Sequence, residues 1–232
     1  DFQKLSDQFE SMRQNLIRYD NSQKTFIQHA SHELKTPIMV VKTYAQSVKD
    51  GILPKKDLEQ TMNVIIEEAD RMEHRVKDML YFTKLGTMEN ETINIEETLF
   101  GHLAFKIEER FRMQREDVTF IIEGADVRLK VDLEHMEVLL ENLVENAMRY
   151  ARDTIWISAK EKEKKVEIRV MNNGGSIEPE DLPYLFNPFH KGNKGQFGLG
   201  LAIVKRICEL HHGDYEVNNV TDGVEFLITF PK

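Results

Sequence analysis

The first residues able to do chemistry lie in Phe26 to Pro37, read F-I-Q-H-A-S-H-E-L-K-T-P. His32 is followed at once by Glu33 and, one helical turn on, by Thr36. An imidazole ring, whose ordinary pKa is about 6.5, keeps a lone pair at neutral pH that can attack an electrophile. A neighbouring carboxylate can hold the proton on the other ring nitrogen. Pro37 has no N–H, and its ring crowds the carbonyl four residues back, which is that of Glu33. A kink is therefore expected beside His32. Zinc chemistry does not fit: H-E-x-x-H needs a second histidine where Thr36 stands, and His29-x-x-His32-Glu33 is not the H-x-x-E-H order. Taken alone, a helical histidine is most often a solvated side chain.

A second set lies in the C-terminal half. Leu139 to Ala147 puts Asn142 and Asn146 at i and i+4 within a helical pattern. Asparagine is a poor helix-interior residue because its amide competes with the backbone. A pair on one face asks for a polar reason, either a solvated face or a ligand, and a carboxamide oxygen is a hard, neutral donor of the kind Mg²⁺ accepts. Asn172-Asn173-Gly174-Gly175-Ser176-Ile177 leaves a strand-like stretch, and Phe186 and Phe189 flank Pro188. From His190 to Gly195 the chain is glycine-rich and carries Lys191 and Lys194, which suits a segment that folds over phosphates. Gly195, Gly198, Leu199, Gly200 and Leu201 then run into a helix, whose free N–H groups can hold phosphate.

Elements must position these groups. Phe2, Leu5, Phe9, Met12, Leu16 and Tyr19 alternate steps of three and four, a coiled-coil seam. Ile27, Ala30, Leu34, Ile38, Val41, Ala45 and Val48 continue at helical spacing, with His32 and Thr36 off the seam. Asp50 to Pro54 breaks the helix, and Leu58, Met62, Ile65, Ala69, Met72, Val76 and Met79 mark a second one. The apolar stripe is too wide for one partner, so a homodimeric four-helix bundle is expected. Gly86 to Thr92 reads as a linker. Beyond it, Ile93 to Ile95 is strand-like and 99–115 helical, and 118–123 with 127–131 suggests a pair of strands. Further strands fall at 155–159, 166–170 and 224–230, with helices at 133–150 and 199–212. The pattern is an α/β sandwich with helices on one face of a mixed sheet.

Composition narrows the classes. Forty acidic against 31 basic residues give a net charge of -9, which opposes a nucleic-acid surface. The single cysteine, Cys208, excludes an intrachain disulfide and sits in an apolar helical pattern that makes core packing its expected role. No run reaches the roughly 18 apolar residues needed to cross a bilayer. The first residue is Asp in mid-helical pattern, so an upstream segment is expected, and any membrane attachment would come through it.

Together these stretches resemble the sensor histidine kinases of two-component systems. S-H-E-L-K-T-P is similar to their H-box, which implies that His32 is the phospho-acceptor, Glu33 its acid/base partner, and Thr36 the residue positioning water for dephosphorylation of the partner, with Pro37 as flex point. N-L-V-E-N-A-M-R-Y resembles the N-box, implying Asn146 as direct Mg²⁺ ligand, Asn142 in support, and Arg149 and Tyr150 near phosphates and the adenine edge. Asn172 to Ile177, including Gly174, stands where the family has its G1-box, D-x-G-x-G, but Asn172 replaces Asp and Ser176 the second Gly. An amide accepts the adenine amino hydrogen without charge assistance, a loss of about 1 kcal/mol or roughly fivefold in affinity. A positive φ at Ser176 would add to it. Phe186 and Phe189 resemble the F-box, Lys191 and Lys194 lie on the lid, and Gly195 to Leu201 matches the G2-box.

The resemblance implies the following organisation. Residues 1–22 end a HAMP-type signalling helix, 23–86 form the dimerisation and phosphotransfer hairpin, 87–92 link, and 93–232 form a catalytic domain of the Bergerat ATP-binding type. ATP and Mg²⁺ are the implied cofactors. A second copy and the receiver domain of a response regulator are the implied partners, and the chain would be the cytoplasmic portion of a membrane sensor. The alternatives are a phosphatase-dominant or interaction module with a weakened ATP site, and another ATPase of the same nucleotide fold, of mismatch-repair or chaperone type.

Overall fold

The computed structural model describes residues 2–88, 93–190 and 198–232. The chain forms two compact units that divide between Met79 and Leu80. The first is a helical hairpin. Helix α1 spans Phe2–Lys49 without interruption, across the expected boundary near residue 22 and across Pro37. After the turn around Gly51, α2 runs Leu58–Thr87, starting where Asp57 Oδ1 accepts the N–H of Gln60 at 2.7 Å. Ile27, Ile38, Leu58, Met62, Ile66 and Val76 are exposed on these helices. That is the apolar surface left over when a wide stripe meets a single partner helix.

The second unit contains β1 (Glu96–Leu99), α3 (Phe100–Arg112), β2 (Thr119–Glu123), β3 (Arg128–Val131), α4 (Leu133–Tyr150), β4 (Ala151–Glu161) and β5 (Lys165–Gly174). A 3₁₀ turn at Leu182–Tyr184, α5 (Gly200–Leu210), β6 (Asp214–Val220) and β7 (Gly223–Pro231) complete it. The main sheet has the order β2-β4-β5-β7-β6, with β2 parallel to β4 and the other neighbours antiparallel. Every second residue of β4, β5 and β7 points at the helices: Ile155 and Ile157, Ile168 and Val170, Phe226 and Ile228 are fully buried or nearly so. Against them lie Leu139, Leu140, Leu143 and Val144 of α4 and Ile203, Val204 and Ile207 of α5. Cys208 is buried in the same layer, and burial pushes its thiol pKa up, as befits a packing residue.

Several expectations are corrected. The first strand lies at Glu96–Leu99, after Ile93 to Ile95 rather than on it. The segments 118–123 and 127–131 are both extended but do not pair with each other: β2 joins the main sheet beside β4, whereas β3 forms a separate ribbon with β1. Gly124, at φ 72°, turns the chain between them, and Val127 N–H bonds back to its carbonyl at 3.0 Å. Strand β6 was not expected, because Asp214, Glu216, Asn218 and Asn219 hide the alternation of an edge strand.

Helix α2 runs to Thr87, one residue past the expected end of the hairpin, and its last two turns belong to the second unit. Leu85 is fully buried there, worth about 2 kcal/mol of apolar burial. Arg206 of α5 donates to the carbonyls of Leu85 and Met88, both at 3.0 Å, closing the helix end.

A buried histidine makes this unit sensitive to acid. His211 is at the end of α5; its Nδ1 lies 2.8 Å from Ile207 O, and its Nε2 accepts the N–H of Asp132 at 3.0 Å. Both nitrogens are satisfied only in the neutral Nδ1–H tautomer, and burial chiefly lowers the pKa from 6.5. The unfolded chain therefore binds this proton more readily than the folded one. Stability is full above about pH 6.5 and falls as pH drops toward the lowered folded value. The thermal midpoint should decline over that window, and His211→Gln, which keeps an acceptor toward Asp132, should flatten the decline.

Candidate active site

In the hairpin, His32 and Thr36 are exposed, Glu33 is half-buried and Pro37 is buried. Pro37 faces inward and so fixes which face of α1 is turned out; His32 and Thr36 share that outer face. Arg75 of α2 approaches from the other side. Its Nη1 donates to the main-chain carbonyl of Glu33 at 2.6 Å and lies 3.9 Å from the Glu33 carboxylate. Sequence reasoning missed Arg75, although a signal existed: a proline inside a helix strands the carbonyl four residues back, and a buried stranded carbonyl needs a donor.

The second constellation sits on α4 and the loops that meet it. Asp132 caps the helix, its Oδ1 accepting His135 N–H at 3.1 Å, so the register of the asparagines is fixed from the N-terminus. Asn142 Nδ2 donates to Val138 O at 2.8 Å, which holds its Oδ1 toward Gly200. A Cβ at position 200 would lie 2.5 Å from that oxygen, so a larger residue there would displace the Asn142 amide where α5 begins beside α4. Asn146 is half-buried one turn on and makes no side-chain hydrogen bond to another described residue. Arg149 is half-buried and reaches Glu145 at 3.4 Å; Tyr150 closes the helix.

The chain then enters β4 through a bulge between Ala151 and Ile155. Arg115 clamps this junction. Its Nη1 donates to Met148 O at 2.8 Å and Ala151 O at 2.9 Å, and its Nη2 to Arg152 O at 3.1 Å. On the other strand Asn173 Oδ1 accepts the N–H groups of Asp153 and Thr154 at 3.1 and 3.0 Å. Gly174, at φ 139°, packs directly on the carbonyl of Tyr150, where any side chain would clash. The end of α4 and the loop after β5 are thus locked together.

Asn172 is 2% exposed, and its Nδ2 donates to Asn173 O at 3.2 Å. That bond leaves Oδ1 as the free accepting end of the amide. Ser176 does not take a positive φ, so its replacement of glycine carries no backbone penalty there. Asn219 of β6 holds Ile177 at both main-chain groups, 2.8 Å each. Asn219 and Arg115 were absent from the sequence reading, and Asn173 was named there without a role, because each acts across segments far apart in the chain.

Phe186 is buried against Tyr215, ring centroids 4.5 Å apart, and Phe226. Phe189 sits at φ 62° and donates its N–H to Gly198 O at 2.7 Å. The two ends of 190–197 are therefore drawn together at Phe189 and Gly198. Lys191, Lys194 and Gly195 lie outside the described residues. Leu199 is fully buried and, with Gly200 and half-buried Leu201, starts α5 beside Asn142, with no side chain capping the helix. Neutral carboxamides on one face of α4, opposite an uncapped helix N-terminus, suit a magnesium-bound polyphosphate.

Comparison with known proteins assigns families to both parts of the chain. Residues 22–87 match the His Kinase A (phospho-acceptor) domain, and residues 131–232 match the histidine kinase-, DNA gyrase B- and HSP90-like ATPase family. The chain is 41% identical over 230 residues to the sensor histidine kinase CssS of Bacillus subtilis, covering 99% of this chain and 51% of that protein. It thus spans about half the length of this relative. Among solved structures, the Acinetobacter baumannii histidine kinase AdeS is similar at 25% identity with a TM-score of 0.70, covering 86% of this chain and 97% of that one. The histidine kinase ThkA, in complex with the response regulator TrrA, shares the fold at 24% identity and a TM-score of 0.72, over 87% of this chain and 59% of that one. No helix among the described residues is long and apolar enough to cross a membrane. With an outward histidine in a phospho-acceptor domain, followed by an ATPase domain whose asparagine helix meets a glycine-started helix, the chain belongs to the sensor histidine kinases of two-component systems.

Proposed function

We propose that this chain transfers the γ-phosphoryl group of ATP to His32, then hands it to an aspartate of a response regulator, and also dephosphorylates that regulator with Thr36 orienting the water. The observation that carries the reading is the exposure of His32 and Thr36 beside half-buried Glu33 in the hairpin. A nucleophile meant for mobile partners must face solvent. The His32 nitrogen lone pair attacks the γ-phosphorus, the bond to the β–γ bridging oxygen breaks, and ADP leaves with its electron pair. Glu33 takes the proton from the other ring nitrogen, so the imidazole ring is left neutral beneath its phosphoryl group.

Asn146 would hold Mg²⁺, with Asn142 in support. When bound, the ion neutralises charge on the triphosphate oxygens. Asn172 accepts from the adenine amino group, Gly174 lets the loop approach, and Arg149 and Tyr150 border the nucleotide. The uncapped start of α5 at Gly198 to Leu201 and the lid carrying Lys191, Lys194 and Gly195 hold the phosphates, with Phe186 and Phe189 anchoring the lid's root. The exposed apolar residues of the hairpin are covered by a second copy in a four-helix bundle. That ThkA is found with the response regulator TrrA supports a receiver domain as the phosphoryl acceptor. Residues 1–22 are the end of a HAMP-type input helix, 23–86 the phosphotransfer hairpin and 93–232 the catalytic lobe, in the cytoplasmic part of a longer membrane sensor.

Incubation with γ-labelled ATP and magnesium tests this directly: acid-labile, base-stable label is expected on the chain. A second reading is favoured by Asn172, whose neutral amide weakens nucleotide binding: a phosphatase-dominant module. Absence of label together with regulator dephosphorylation would select it.

Gly200→Ala gives a sharper check on the nucleotide site. The added methyl would push the Asn142 amide off its place between Val138 and α5. ATP affinity should fall about tenfold, equivalent to about 1.4 kcal/mol, in a fluorescent-nucleotide titration.

A further inference from the structure

The hydrogen-bond ladder of α1 has a gap beside the phospho-acceptor, and a side chain of α2 reaches it. Pro37 has no N–H to give the carbonyl of Glu33, the residue next to His32. Arg75 Nη1 donates to that carbonyl at 2.6 Å, a short charge-assisted bond from the opposite helix. The same guanidinium lies 3.9 Å from the Glu33 carboxylate, and the two side chains are 20% and 18% exposed. One arginine therefore contacts both the main chain and the acid/base group of the residue adjoining the nucleophile.

We propose that Arg75 is a positioning residue for phosphoryl transfer to His32: it replaces the N–H that proline removes from α1 and fixes the main chain and carboxylate of Glu33 relative to the imidazole. This rests on the reading of His32 as phospho-acceptor. Pro37 and Arg75 are then one device. The proline opens the ladder, and the arginine closes it from α2, so that the chemistry at His32 depends on the relation between the two helices.

The dependence can be isolated because Pro37→Ala supplies a main-chain N–H that can bond Glu33 O without Arg75. The four chains are wild type, Arg75→Met, Pro37→Ala and the double variant. Beside Pro37, Arg75→Met should lower the maximal rate of His32 labelling about tenfold with KM for ATP unchanged, the sign of a misplaced reacting group rather than lost substrate binding. In the P37A background the same substitution should cost less than about twofold, since the main-chain N–H at position 37 then serves the Glu33 carbonyl. Arg75→Lys should recover part of the rate. Equal losses in both backgrounds, or a rise in KM that accounts for the effect, overturn the proposal. Where P37A alone silences labelling, thermal midpoints read the same cycle, and equal costs of Arg75→Met in both backgrounds overturn it. Absence of label on the wild-type chain instead overturns the phospho-acceptor reading, and the positioning role falls with it.

Discussion

Glutamine in place of His32 should remove all acid-labile, base-stable label from a chain incubated with γ-labelled ATP and magnesium. Glutamine keeps a polar side chain of similar length at an exposed helical position, so stability should change by no more than about 0.5 kcal/mol. What it lacks is a nitrogen lone pair available to attack phosphorus, because the amide nitrogen is conjugated with its carbonyl. The loss is thus one of nucleophile, not of fold. ATP affinity should stay within about twofold, since removing a group used only in the transition state leaves ground-state binding intact. Glu33→Gln should slow labelling by about a hundredfold without abolishing it, the usual range for a general acid/base group. Label surviving on His32→Gln would place the phospho-acceptor elsewhere.

Alanine in place of Asn146 should move stability and nucleotide binding in opposite directions. Asparagine costs up to about 0.7 kcal/mol relative to alanine in a helix interior, so the thermal midpoint should rise slightly. Magnesium-dependent ATP binding should meanwhile fall by about a hundredfold or more, given that even outer-sphere partners of a metal are worth 10- to 100-fold. A core-packing role predicts the reverse stability change and no selective loss of the magnesium-dependent part. Isothermal titration with and without magnesium, beside a melting curve, separates the two. Asn142→Ala provides the contrast. It also breaks the bond to Val138 O and empties the space against Gly200, so it should weaken binding with less regard to magnesium.

The sequence carried the hairpin, α4 and the order of sheet and helices because those signals are local. Heptad steps around Leu34 and Met72, the helical run of 133–150 and the alternation of Val166 to Val170 are written within a few residues of where they act. His32, Asn142 and Gly200 could be singled out for the same reason, each lying in a short local motif. Tertiary structure alone decided that β2 pairs with β4 and not β3, that the last turns of α2 are bound by Arg206, that Arg115 clamps the junction of α4 and β4, that Asn173 ties β5 to β4, and that Asn219 holds Ile177 from β6. It also decided that Arg75 answers the carbonyl stranded by Pro37. The reason is physical: periodicity and capping report a residue's relation to its own segment, whereas a side chain bonding a backbone atom tens of residues away leaves no pattern around the donor, even where, as at Pro37, the acceptor's side is marked.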